Sequence, residues 1–171
     1  DVIAQLNRDE TPECTEGREG YVWVNGADGN QATARLDISI RDHDLAGYEA
    51  KKQLLRDAVE KVQAKNPRAS ITVEIEDVYS NISDAKTDEN GGATDDIFAA
   101  MSDLGIEPIN LAMRGGTDGS WLSRQGIYTP NFFTGAHNFH SNCEFLPLSS
   151  FEKSYQMVFA LIERAAQRAR Q

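Results

Sequence analysis

The sequence predicts an α/β chain in two parts, and three observations predict it. The first 82 residues read strand, strand, helix, strand. The residues after 96 read helix, strand, helix, strand, helix, a layered α/β pattern. Between them, Ser83 to Asp96 reads SDAKTDENGGATDD, rich in Gly, Asp and Asn and lacking large apolar side chains, the composition of a loop or linker. The boundary placed there gives two domains, residues 1–82 and 83–171.

The elements follow in order. After the polar stretch Arg8 to Glu19, Tyr21-Val22-Trp23-Val24 is a short apolar run that predicts a strand. Gly26 to Gly29 predicts the turn that follows it. Ala34, Leu36, Ile38 and Ile40 alternate with Arg35, Asp37, Ser39 and Arg41, the period-two signature of a half-buried strand. From about Asp44 to Lys65 the pattern is helical, with Ala50, Leu54, Ala58 and Val62 on one stripe and Asn66-Pro67 as the stop. Ile71, Val73 and Ile75 alternate with Thr72, Glu74 and Glu76 and predict a third strand. Three strands under one helix make a thin core, so a covering surface is expected.

In the second part Thr94 is placed to cap a helix whose stripe is Ile97, Met101 and Leu104 and whose end is Gly105. Strands are expected over 106–113 and 128–134, with a short helix capped by Asp118 between them. Ser149-Ser150-Phe151-Glu152 has capping-box spacing ahead of a long helix. Phe151, Tyr155, Val158, Ile162 and Ala166 would form its buried face. Two clear strands are few for a complete α/β domain, so the chain reads as a piece of something larger.

Charge and composition exclude some functions. The 171 residues carry 17 Lys plus Arg against 27 Asp plus Glu, a formal charge of −10. Such a surface repels phosphate backbones, so no nucleic-acid partner is expected. No stretch is apolar for the length that spans a bilayer, so no membrane partner is expected either. The opening residues DVIAQLNRDE do not resemble a signal peptide. The two cysteines, Cys14 and Cys143, could pair or stay free, and so few of them favour a reducing, cytoplasmic setting.

Four features carry candidate chemistry. FTGAHNFHSNCEF, Phe133 to Phe145, gathers His137, His140, Cys143 and Glu144 after a predicted strand. These side chains suit zinc, although three ligands so close together would strain a tetrahedral site, and one ligand completed from elsewhere fits better. RGGTDG, Arg114 to Gly119, combines glycines that allow close backbone approach with an arginine that could clamp a carboxylate. A simple strand-to-helix turn explains the same spacing. Arg41 ends an alternating strand beside Asp42, His43 and Asp44, where it could reach an anion or simply stay solvated. Asn81, after Val78-Tyr79-Ser80, is a turn residue or a substrate contact.

Taken together, RGGTDG, PNFFTG, NFHSNCEF and the long terminal helix resemble the C-terminal part of peptidase T, a family of tripeptide aminopeptidases in the M20 metallopeptidase clan. TPECTEGREGY, ISIRDHD and VEIEDVYSN agree in the same order, so the resemblance runs from about Thr11 to the end. It implies part of a ferredoxin-like α+β lid or dimerisation domain, followed by the C-terminal part of a zinc-peptidase-like α/β catalytic domain. The implied reaction is two-zinc hydrolysis that removes the N-terminal residue of a tripeptide. His140, in a His-x-x-x-Glu segment, matches a metal ligand. Arg41 matches a lid arginine that holds the substrate's terminal carboxylate. Arg114 to Asp118 match a loop lining the substrate cleft, and Asn81 a cleft asparagine. Cys143 stands where a second histidine is common. The resemblance places the other ligands and the general base upstream, so no catalytic residue is expected in this chain and the isolated chain is expected to be inactive. It also implies a short-peptide substrate, a homodimer formed through the lid, and a cytoplasmic setting. Two other readings stay open: a different M20 member, aminoacylase or carboxypeptidase, and a non-catalytic dimerisation or binding module.

Overall fold

The computed structural model describes residues 1–170 and resolves into two compact units. Among the described residues, the first holds Asp1–Asn81 together with Ala112–Gly116, and the second holds Ile82–Leu111 and residues 117–170. The content is mixed helix and strand.

In the first unit β1 (Tyr21–Gly29) pairs antiparallel with β2 (Ala34–Arg41), from Tyr21 opposite Arg41 to Gly29 opposite Ala34. Gly26 to Gly29 is not the turn the sequence predicts. These residues continue β1, and the first glycine marks a register break between Val24 and Gly26, the usual place for a bulge. The turn lies four residues later, where the Asn30 side chain accepts hydrogen bonds from the Ala32 and Thr33 amides at 2.8 and 3.0 Å. An asparagine that mimics a backbone turn needs no glycine.

Helix α1 (Leu45–Lys65) starts where predicted, with the Asp44 carboxylate accepting from the Gly47 amide at 2.8 Å. At its end the Asn66 side chain donates to the Val62 carbonyl. Its buried stripe is Leu55, Ala58 and Val62, rotated from the predicted one so that Ala50 is exposed. Burying side chains of this kind stabilises by about 1.5–3 kcal/mol each for the larger ones. Lys52 is also buried, where it pairs with Glu49 at 2.8 Å and Asp77 at 3.1 Å.

The predicted third strand, Ile71 to Ile75, belongs to no ladder: the sheet has two strands. Side chains of α1 hold this segment instead. The Gln63 carbonyl oxygen accepts from the Ile71 amide, and the Tyr48 hydroxyl donates to Asp77 at 2.8 Å. An alternating sequence signals a half-buried extended segment, but a ladder also requires a neighbouring strand.

The second unit is built on three helices, α2 (Gly92–Asp103), α3 (Asp118–Arg124) and α4 (Leu148–Arg168). Its core is Ile97, Ala100 and Met157, packed by Met101, Leu104, Phe132, Phe133, Ala160 and Leu161. Arg164 pairs with Asp103 and Arg168 with Asp96, tying α4 to both ends of α2. Gly105 has φ +65°, the left-handed conformation that ends α2 as predicted.

Several expectations for this unit fail. Thr94 is not the cap of α2, because Gly91 occupies that position. The Thr94 hydroxyl instead lies 2.7 Å from that of Tyr128. Thr117, not Asp118, caps α3, and its amide donates to the Ser120 hydroxyl. Pro147 precedes α4, with no side-chain cap from Ser149 or Ser150. Segments 106–113 and 128–134 form no strand, and Ile109 and Leu111 stand 76% and 77% exposed. The predicted face of α4 is exposed too. Phe151, Tyr155, Val158 and Ile162 all face solvent, while Met157 is 0% exposed. Helix α4 therefore carries a second apolar face, and the packed one runs through Met157, Ala160 and Leu161.

Candidate functional site

The first unit brings together three of the expected site residues. Arg41 is the last residue of β2, carried there by the polar register of an alternating strand. Its Nη1 donates to the Tyr79 hydroxyl at 2.5 Å and to the Arg114 carbonyl at 2.9 Å. The guanidinium carbon lies 5.8 Å from the centre of the Tyr79 ring. Asn81 donates through Nδ2 to the His43 carbonyl at 3.1 Å, joining the end of segment 71–81 to the loop after β2.

Arg114 is not a free clamp. Its Nη1 donates to the Thr15 carbonyl, its Nη2 donates to the Thr15 hydroxyl, and its guanidinium stacks 4.4 Å over the Tyr21 ring. Its Nε is buried without a hydrogen-bond partner. The side chain braces the 112–116 segment against the entry to β1. The contribution of this segment to the cluster is the Arg114 carbonyl. Gly116 lies so close to Tyr79 that a β-carbon there would sit 2.2 Å from the ring carbon Cζ, which only glycine permits.

The second unit holds Asp118 and His140. Asp118 opens α3 with its carboxylate exposed and without a hydrogen-bond or ion-pair partner among the described residues. His140 sits in a loop that folds on itself. His137 and Phe145 close its base through two backbone hydrogen bonds of 2.9 and 3.2 Å and stack their rings at 5.1 Å. Within the loop the Asn138 side chain donates to the Cys143 carbonyl, and the Ser141 hydroxyl donates to the Asn138 carbonyl. Asn138 and His140 both have positive φ, +54° and +62°, unusual for a residue with a side chain. The Glu144 carboxylate accepts from the His140 amide at 2.9 Å, which leaves the exposed imidazole uncommitted. Such local strain is commonest where a side chain must be presented.

The donor set fits a metal only in part. His140 supplies one exposed imidazole. No group of three or more His, Cys, Asp or Glu side chains is close enough to hold a metal among the described residues. Cys14 and Cys143 are both free and exposed. No helix among the described residues is long and apolar enough to cross a membrane. Sequence reasoning singled out Arg41 and the glycines after Arg114 but passed over Tyr79, whose hydroxyl accepts from Arg41. The signal was the aromatic residue two before Asn81.

No protein-family model matches the chain. The chain is 52% identical over 166 residues to a peptidase T-like protein of Yersinia pestis and 43% identical over 167 residues to one of Rhizobium meliloti. It is 38% identical over 168 residues to peptidase T of Fusobacterium nucleatum. These alignments cover 97–98% of this chain but 40% of each relative, so the chain spans about two fifths of the length of the curated relatives it matches. A crystal structure of aminopeptidase PepT from Bacillus cereus superposes with a TM-score of 0.70, covering 96% of this chain and 43% of that one at 20% identity. That likeness is one of fold.

Proposed function

The chain is homologous along nearly its whole length to peptidase T and peptidase T-like proteins, and from that premise we propose that it forms the C-terminal part of a zinc aminopeptidase acting on tripeptides. The observation that carries this reading is the identity of 38–52% to those relatives across 97% of the chain or more. Residues 1–82 are read as part of a lid and residues 83–171 as the end of the catalytic domain. The exposed apolar side chains of segment 106–113 and of α4 support the reading, because such faces are ordinarily covered in a finished protein.

On this reading the chain's residues take the following roles. The His140 imidazole, free on a loop locked at both ends, supplies one ligand to one of two zinc ions. Bound zinc supplies Lewis acidity and an activated water. Arg41 holds the carboxylate at the C-terminus of the peptide. A guanidinium pairs with a carboxylate through two parallel N–H bonds, and an anchor at a fixed end measures peptide length. Asn81 and the Arg114–Asp118 turn line the substrate cleft, Arg114 through its backbone rather than its guanidinium. The general base and remaining ligands come from outside this chain, so the isolated 171 residues are inactive. The same reading carries a homodimer formed through residues 1–82 in the cytoplasm.

The test is the zinc content of the protein expressed from its complete gene. About two equivalents per chain are expected, and His140→Ala loses one of them. Full zinc content in that variant removes His140 from the ligand set.

A further inference from the structure

We propose that Tyr79 is the positioning residue that fixes which edge of the Arg41 guanidinium is presented to a carboxylate. This rests on the reading of Arg41 as the carboxylate anchor. A guanidinium has five N–H donors in a rigid plane, two of them on each terminal nitrogen. Both protons of Nη1 are matched by acceptors, the Tyr79 hydroxyl at 2.5 Å and the Arg114 carbonyl at 2.9 Å. Nε and Nη2 have no partner among the described residues, and together they form the edge whose two parallel N–H bonds suit a carboxylate. With Nη1 pinned by two acceptors, the group cannot rotate to offer its other edges. Holding a long, flexible side chain in its binding orientation before the ligand arrives removes an ordering cost from binding.

The seat is itself rigid. Gly116 packs against the Tyr79 side chain, leaving no room for a β-carbon. Arg114 keeps the 112–116 segment in place by binding Thr15 and stacking on Tyr21. Tyr79 thus acts through Arg41, as an acceptor, and the loss of its hydroxyl alone is enough to loosen the guanidinium.

The experiment uses the protein expressed from its complete gene, loaded with zinc. It compares the wild type, Arg41→Ala, Tyr79→Phe and the double variant on a tripeptide and on the same tripeptide with an amidated C-terminus. Tyr79→Phe keeps the ring against Gly116 and removes only the acceptor. The expected result is a KM for the free tripeptide raised about fivefold, the scale of one hydrogen bond, with kcat little changed. The amidated peptide shows no such change, and the double variant is no worse than Arg41→Ala alone. If Arg41→Ala raises KM while Tyr79→Phe leaves it unchanged, the positioning role is overturned and the anchor stands. Additive losses in the double variant make Tyr79 an independent contact and also overturn it. If Arg41→Ala leaves KM unchanged, the anchor reading itself fails and the role of Tyr79 fails with it. A rise in KM for both peptides means a general disturbance and counts against the proposal.

Discussion

The Arg114 guanidinium lies 4.4 Å over the ring of Tyr21, so an arginine that the sequence offers either as a carboxylate clamp or as part of a simple turn is spent on holding its own segment to β1. The same side chain donates to both oxygens of Thr15. Arg114→Ala should lower stability by about 1–3 kcal/mol, the range for losing charge-assisted hydrogen bonds plus a cation–π contact. Arg114→Lys should recover little, because an ammonium cannot make the two-pronged contact with Thr15. Urea unfolding of both variants checks this, and a lysine variant with wild-type stability would remove the brace.

Gly115 and Gly116 are neighbours with opposite tolerances. A β-carbon at Gly115 meets nothing within 4 Å, whereas one at Gly116 runs into Tyr79. Gly115→Ala should change stability by no more than about 0.5 kcal/mol. Gly116→Ala should cost about 1–3 kcal/mol through overpacking and displace the Tyr79 hydroxyl from Arg41. Equal unfolding midpoints for the two variants would contradict this packing.

Helix α4 provides a contrast between its two apolar faces. Met157 is fully buried against Ile97 and Ala100, and Met157→Ala should cost about 2–5 kcal/mol. In the 171-residue chain, Ile162→Ala should stay within about 0.5 kcal/mol, since Ile162 is 59% exposed. Thermal unfolding of both variants decides which face packs. A larger loss for Ile162→Ala would reverse the assignment.

Alkaline pH should loosen the first unit. Burial alone would push the Lys51 ammonium down, but its hydrogen bond and charge interaction with Asp42, with Glu10 behind, hold it above the ordinary lysine value. Tyr48 is raised as well, by burial first and then by its hydrogen bond to Asp77. A group whose folded value is raised contributes fully below its unfolded value and loses that contribution as pH climbs through the folded one. Stability should therefore be level in these two groups up to about pH 9–10 and fall above it. Lys51→Met should flatten the decline. A steeper decline in that variant would refute the assignment.

Local chemistry was legible in the sequence where one element determined it. The alternation of β2, the start of α1 near Asp44 and the glycine at the end of α2 are all short-range features, and they hold. Partners were not legible. Segments 71–75, 106–113 and 128–134 carry apolar alternation or runs, yet a strand exists only beside another strand, and a sequence pattern does not say whether one is there. Helix α4 misled for a related reason. Phe151, Tyr155 and Ile162 form the more conspicuous stripe, but Met157 and Leu161 are the residues that meet α2. The positions of Arg41 and His140 could be read, one at the end of a strand and the other in a compact loop. Their surroundings could not, because Tyr79 and the Arg114 carbonyl reach Arg41 from 38 and 73 residues away.

The most direct test is to incubate a tripeptide with the zinc-loaded protein expressed from its complete gene and identify the products by mass. The expected products are a free N-terminal amino acid and the remaining dipeptide, with the C-terminally amidated tripeptide cleaved poorly. Release of the C-terminal residue instead, or cleavage of N-acyl amino acids with the tripeptide left intact, would contradict it.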